Sequence, residues 1–181
     1  GSDYTSLTTV LTFTAGQTSK TLNVPSLGDT LDEDDETFTL QLLSPLNALA
    51  GNLTATGTII DDDSSALSVS NRSVTEGNSG NVPAIFTVSL SVASSKTVSV
   101  DYATVSGTAT EGVDYVGLSG TASFAPGQTA LTVTVQVLGD TLDELDESYQ
   151  LRLSNPVNAS ITAGVGQGTI VDDDTTVMSI S

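Results

Sequence analysis

The chain of 181 residues contains no cysteine, no histidine and no tryptophan. Without cysteine there is no disulfide staple and no thiol nucleophile, and without histidine there is no Ser–His catalysis and none of the usual zinc sites. Cations are also scarce. Lys20, Arg72, Lys96 and Arg152 stand against 22 acids, for a formal net charge of −18. No basic face exists to meet nucleic acid or an anionic membrane surface. No apolar run approaches the roughly 20 residues that a membrane-spanning helix needs. Only four Phe and four Tyr are present, so any core must be built mainly from aliphatic side chains. Hydrophobic residues still make up 38% of the chain, which separates it from highly charged disordered sequences of low hydropathy.

An internal repeat organises what is present. Shifted by 111 positions, residues 1–70 lie on 112–181 without a gap, and 32 of the 70 pairs are identical. "FTAGQT" meets "FAPGQT", "LGDTLDEDDETFTLQL" meets "LGDTLDELDESYQLRL", and "GTIIDDD" meets "GTIVDDD". A register without gaps means equal loop lengths and therefore a shared fold. The repeat divides the chain into the later part of a first unit at residues 1–63, a complete unit at 64–174, and the first strand of a third at 175–181. The first unit lacks its early strands, which leaves apolar faces such as Leu22 with Val24 and Leu40 with Leu42 expected to be bare. Bare faces and strand edges favour self-association.

The complete unit reads as all-β. Alternation in "LTVTVQVL" sets Leu131, Val133, Val135 and Val137 on one face, and "AIFTVSLSV" does the same for Phe86, Val88 and Leu90. "LSVS", "KTVSVDYATV", "TASF", "SYQLRL" and "GQGTIV" complete seven strands, punctuated by Gly, Pro, Asn and Asp. Seven short strands in this length predict an immunoglobulin-like Greek-key β-sandwich in tandem repeats.

The acids fall in a few loops: Glu76; Glu111 with Asp114; residues 140–147; and residues 172–174. Loops at one end of a sandwich converge, and carboxylates packed there repel one another. Two unit charges about 5 Å apart cost roughly 3 kcal/mol at an effective dielectric of about 20. A hard divalent cation with flexible oxygen coordination relieves this, and calcium suits such a cage better than magnesium. A solvated acidic face explains the net charge equally well, but not the recurrence of acids at matching loop positions in both copies. An EF-hand is excluded, because position 6 counted from Asp29 or Asp140 is Asp34 or Leu145 where that loop needs Gly. A glycosidase pair such as Asp143 and Glu147 has no aromatic platform for a sugar, so no enzyme is expected. Three N-glycosylation sequons, at Asn52, Asn71 and Asn158, fit the frequency of Ser and Thr.

Taken together, "VTEGNSG", "GTATEGVDY", "TASFAPGQT", "VLGDTLDELDESYQLRLSNP" and "GTIVDDD" resemble the Calx-beta domain, known from sodium–calcium exchangers, an integrin subunit and long repeat proteins of bacterial surfaces. The resemblance implies a seven-stranded sandwich with calcium at one end. By motif position it implies ligands at Glu76, Asp114, Asp140, Glu144, Glu147, Asp172, Asp173 and Asp174, with the Leu142 carbonyl as a further one. In the first unit the matching residues are Asp3, Asp29, Glu33, Glu36, Asp61, Asp62 and Asp63. Exchanger domains carry more acids just before the Asp140 position, where this chain has Leu138 and Gly139, which implies fewer or weaker ions. Residues 61–63 would hold calcium at the junction with the complete unit. The function expected is a non-catalytic, calcium-rigidified adhesion or extension segment of a large secreted or cell-surface protein. A calcium sensor that switches the orientation of neighbouring Calx-beta domains is the alternative.

Overall fold

The computed structural model describes residues 3–180. It divides into two units, described separately: unit 1, residues 1–30 and 34–62, and unit 2, Leu31–Glu33 with residues 63–181. Among the described residues there is no helix.

In unit 1, β1 (Glu36–Gln41) pairs antiparallel with β2 (Thr54–Ile59). Unit 2 holds β3 (Ala66–Val69), β4 (Arg72–Thr75), β5 (Gly80–Leu90), β6 (Val98–Ser106), β7 (Ser119–Phe124), β8 (Ala130–Gly139), β9 (Glu147–Val157), β10 (Ser160–Ala163) and β11 (Val165–Val171). These form a four-stranded sheet, β10-β3-β5-β8, and a five-stranded sheet, β4-β11-β9-β6-β7. This is the all-β immunoglobulin-like sandwich that the alternating pattern predicts. The inward residues fill the space between the sheets: Leu67, Phe86, Val88, Val135 and Val137 from one, Val98, Val100, Phe124, Tyr149 and Leu151 from the other, each buried. Burial of one such side chain contributes about 1.5–3 kcal/mol.

Two strands of unit 2 go beyond the expected seven. The first strand breaks at Ser70–Asn71, so that β3 joins one sheet and β4 the other, parallel to β11. After β9 the chain doubles back as β10, parallel to β3. Both extra strands have four residues and too little alternation to be read from sequence.

Unit 1 demonstrates how far a strand depends on its partner. Residues 19–28 match β8 of unit 2, yet they form no strand: β8 pairs with β5, and residues 1–63 hold no match to β5. Residues 8–13 match β7, whose partner β6 likewise has no match within residues 1–63. Only the β9–β11 pair has both halves present, and β1–β2 reproduces its register: Glu36 faces Ile59 as Glu147 faces Ile170. Local turn chemistry survives without the sheet. Ser44 and Asn47 take positive φ (53° and 58°), as do their counterparts Asn155 and Asn158 (49° and 57°). Large apolar side chains of unit 1 are consequently exposed, Val10 at 89% and Leu49 at 100%. At the other end of the chain, residues 175–180 form no strand.

One cross-strand pair recurs in both units. Gly168 lies opposite Tyr149 as Gly57 lies opposite Phe38, and each ring covers its glycine. A Cβ on Gly168 would sit 2.4 Å from the Tyr149 ring. Tyr149 is fully buried and stacked on Tyr115, with centroids 4.5 Å apart, so it has no room to retreat. Gly168→Ala should therefore lower unit 2 stability by about 1–3 kcal/mol in chemical denaturation. Gly57→Ala should cost less, since Phe38 is only half-buried.

Candidate metal centre

Strand register brings the acids of unit 2 together. Parallel pairing ends β4 at Thr75 beside Val171 at the end of β11, which places Glu76 next to residues 172–174. Antiparallel pairing sets Glu147, at the start of β9, opposite Ile170. The β8–β9 loop thereby joins the same end. Asp114 arrives through the β6–β7 connection, where its carbonyl accepts from Leu138 N at 2.9 Å and its Oδ2 accepts from Thr110 N at 2.6 Å.

The acids gather as two triads, Glu76–Asp172–Asp174 and Asp114–Glu144–Glu147, each with carboxylate oxygens within 4.8 Å of one another. Glu76 and Asp114 are buried, 4% and 5% exposed. Burial, then the charges of Asp140, Asp172, Glu144 and Asp174, push Glu76 up to about 7. Burial, then a hydrogen bond with Asp114 and the charges of Asp114 and Glu144, push Glu147 to about 7. Glu144 and Asp174 are raised as well, each chiefly by burial and then by neighbouring carboxylates. The buried Oδ2 of Asp174 has no hydrogen-bond partner among the described residues.

Asp140 belongs to neither triad, but its charge acts on Glu76, Glu144 and Asp174. Its Oδ1 accepts from Leu142 N at 2.7 Å, which fixes the start of the loop. Asp173 also stands outside both triads, with its Oδ1 accepting from Gly77 N at 2.9 Å. Asn78 Nδ2 donates to Asp174 Oδ1. The Leu142 side chain is exposed, as is Glu111, which joins no triad. Gly139 explains why no acid stands there: a Cβ at that position would lie 2.1 Å from Gly77 O and 2.6 Å from Glu76 O. Its lack of a side chain lets the Glu76 backbone close onto the β8 end.

In unit 1, carboxylate oxygens of Asp3 and Asp29 lie within 4.8 Å of each other. Glu33 falls on the Leu31–Glu33 segment and Asp63 after the boundary, both in unit 2. Glu36 and Asp62 are exposed, and Asp61 is half-buried. The Asp61 backbone N–H donates to Asp35 Oδ1 at 3.0 Å, and its counterpart Asp172 N donates to Asp146 Oδ1 at 3.2 Å. Sequence reading passed over this role. Asp35 and Asp146 hold the aspartate triplets in place, and their identity across the repeat was the available signal.

The donor set is hard oxygen throughout, the chemistry that suits calcium or magnesium and not softer metals. The Calx-beta domain family profile matches residues 1–63 and 61–174. Among solved structures, the apo-form Calx CBD1 domain is 29% identical with a TM-score of 0.54, the match covering 62% of this chain and 100% of that one. CBD12 from CALX1.2 is 31% identical with a TM-score of 0.55, over 60% of this chain and 46% of that one. The calcium binding domain CBD12 of CALX1.1 is 31% identical with a TM-score of 0.50, over the same shares. The chain thus spans less than half the length of the CBD12 structures it matches. No curated protein matches. With both repeat segments matched, the chain belongs to the Calx-beta domain family.

Proposed function

We propose that the chain is a calcium-binding, non-catalytic tandem module, a segment that calcium stiffens within a large secreted or cell-surface protein. The observation that carries this reading is the pair of carboxylate triads at one end of unit 2, where a buried Asp174 oxygen has no hydrogen-bond partner among the described residues. Two of the four cations are engaged elsewhere: Lys96 with Asp32 at 2.6 Å, and Arg152 Nε with Gln150 at 2.8 Å. Glu76, Asp172 and Asp174 would hold one ion and Asp114, Glu144 and Glu147 another, with Asp140 serving both. Asp173 would act through Gly77, shaping the loop that carries Glu76. In unit 1, Asp3 and Asp29 are the ligands that remain together. Calcium bound there supplies positive charge, offsetting repulsion and tying four loops to one another. Further partners are adjacent Calx-beta units and, through the bare apolar side chains of unit 1, other copies of the chain.

The regulatory alternative, a sensor, rests on the CBD12 likeness, and affinity separates the two. Extracellular calcium modules bind near 10⁻⁴–10⁻³ M and sensors near 10⁻⁷–10⁻⁵ M. Calorimetric titration of calcium into chelator-treated protein should give saturable heat in the weaker range. Micromolar binding would favour the sensor, and absence of heat would remove calcium from the account.

A further inference from the structure

Within the acidic run of residues 29–36, Asp32 alone is buried, at 5% exposure. With Leu31 and Glu33 it forms part of unit 2, although the chain on both sides belongs to unit 1. Its Oδ1 lies 2.6 Å from Lys96 Nζ, and its Oδ2 accepts from Ser65 N at 3.1 Å. The backbone is held as firmly. Asp32 N donates to Ala93 O at 3.1 Å, and Asp32 O accepts from Ser95 N at 2.9 Å and from the buried Ser94 Oγ at 3.0 Å. Lys96 Nζ also donates to Glu33 O at 3.0 Å. The result is a parallel bridge, Asp32 to Ser94, closed by an ion pair. It lies before the start of β6, which pairs with the far end of β9 (Ser99 with Val157). The acidic triads sit at the opposite end of the unit, by Glu147.

The repeat maps Asp32 onto Asp143 and Ser65 onto Thr176. One contact of the set is already made there: Thr176 N donates to Asp143 Oδ2 at 2.8 Å, as Ser65 N does to Asp32 Oδ2. Asp143 is exposed, and the positions matching Ser94 and Lys96 would lie beyond residue 181.

We propose that residues 142–144 are a docking tripeptide for a further Calx-beta unit, received by a lysine and a serine placed in that unit as Lys96 and Ser94 are in unit 2. The partner's chemistry is thus specified: an ammonium for the Asp143 carboxylate, and an open backbone edge with a hydroxyl for the Asp143 peptide groups. Each unit of such an array is completed by three residues lent from the acidic loop before it. Because Glu144 of the second triad is a member of the same tripeptide, the dock and the acidic cage share one short loop.

The test needs the full chain and one extension of it, residues 1–174 followed by a second copy of residues 64–181. Both are treated with a zero-length carbodiimide in chelator, so that the result does not depend on calcium, and the crosslinks are mapped by mass spectrometry. The parent chain should give an Asp32–Lys96 crosslink and none at Asp143. The extended chain should add a crosslink from Asp143 of the first copy to Lys96 of the appended copy. Asp143→Asn in the first copy should abolish that crosslink, and so should Lys96→Met in the appended copy, each leaving Asp32–Lys96 intact. An extended chain that yields only the Asp32 crosslink would overturn the proposal, as would a parent chain that yields none.

Discussion

Saturating calcium is expected to raise the melting temperature of the chain by about 10 °C, and Glu144→Gln with Asp172→Asn should remove most of that rise. A ligand that binds only the folded state stabilises by about 2.7 kcal/mol at 100 times its dissociation constant. For a domain of this size, 1 kcal/mol corresponds to a shift of about 4 °C. The two substitutions take one carboxylate from each triad and keep side-chain volume. They also separate a metal site from a solvated acidic face. In chelator the variant should melt above the parent, because burial and neighbouring charges already disfavour ionised Glu144, and Asp172 adds to the raised state of Glu76. In calcium the order should reverse. Calorimetric scans in both conditions decide the matter, and a variant that responds to calcium as the parent does would show that the triads hold no ion.

Acidity should act in opposite directions with and without the ion. In the folded chain the Glu76 and Glu147 carboxyls keep their protons up to about 7, against an ordinary value of 4.5. Between those values the folded state binds more protons than the unfolded state, so stability falls as pH rises. Calcium-free protein should therefore melt at a higher temperature at about pH 5 than at about pH 7. Asp32 and Asp143 lie below the usual carboxylate range. They stay ionised throughout this window and leave its slope unchanged. With calcium present both glutamates are needed as carboxylates, so acidification weakens binding and lowers the melting temperature. A calcium-free melting temperature that rises from pH 5 to pH 7 would mean that the carboxyls of the two triads are further apart than their loops suggest.

Sequence pattern located the long strands of unit 2 because inward residues such as Phe86 and Val88, or Val133 and Val135, must alternate with outward ones. It could not locate β4 or β10, whose four residues are set by parallel neighbours far away in the chain. In unit 1 the same alternation misleads: residues 19–28 have the pattern of β8 but, among the described residues, no strand to pair with. The loops that carry the acids were legible from their recurrence. Their sorting into two triads was not, since it depends on which strand ends adjoin. Asp32 was hidden among acidic neighbours, although its role is unlike theirs. Nothing in "LDEDDE" distinguishes a buried, lysine-paired aspartate from an exposed one.

The broken first strand has a mechanical consequence. After the Leu31–Glu33 segment, the chain runs into the sandwich of unit 2 along β3 and β4 and leaves it along β11, and β4 and β11 run parallel, Gly168 beside Arg72 through Val171 beside Thr75. Tension applied at the two ends of the unit pulls these strands past each other lengthwise. Their hydrogen bonds are loaded together in shear, where an antiparallel hairpin pulled from its open end would part bond by bond. A single-molecule pulling trace of unit 2 should accordingly show one abrupt rupture without a graded extension before it, the behaviour of a link in a tether.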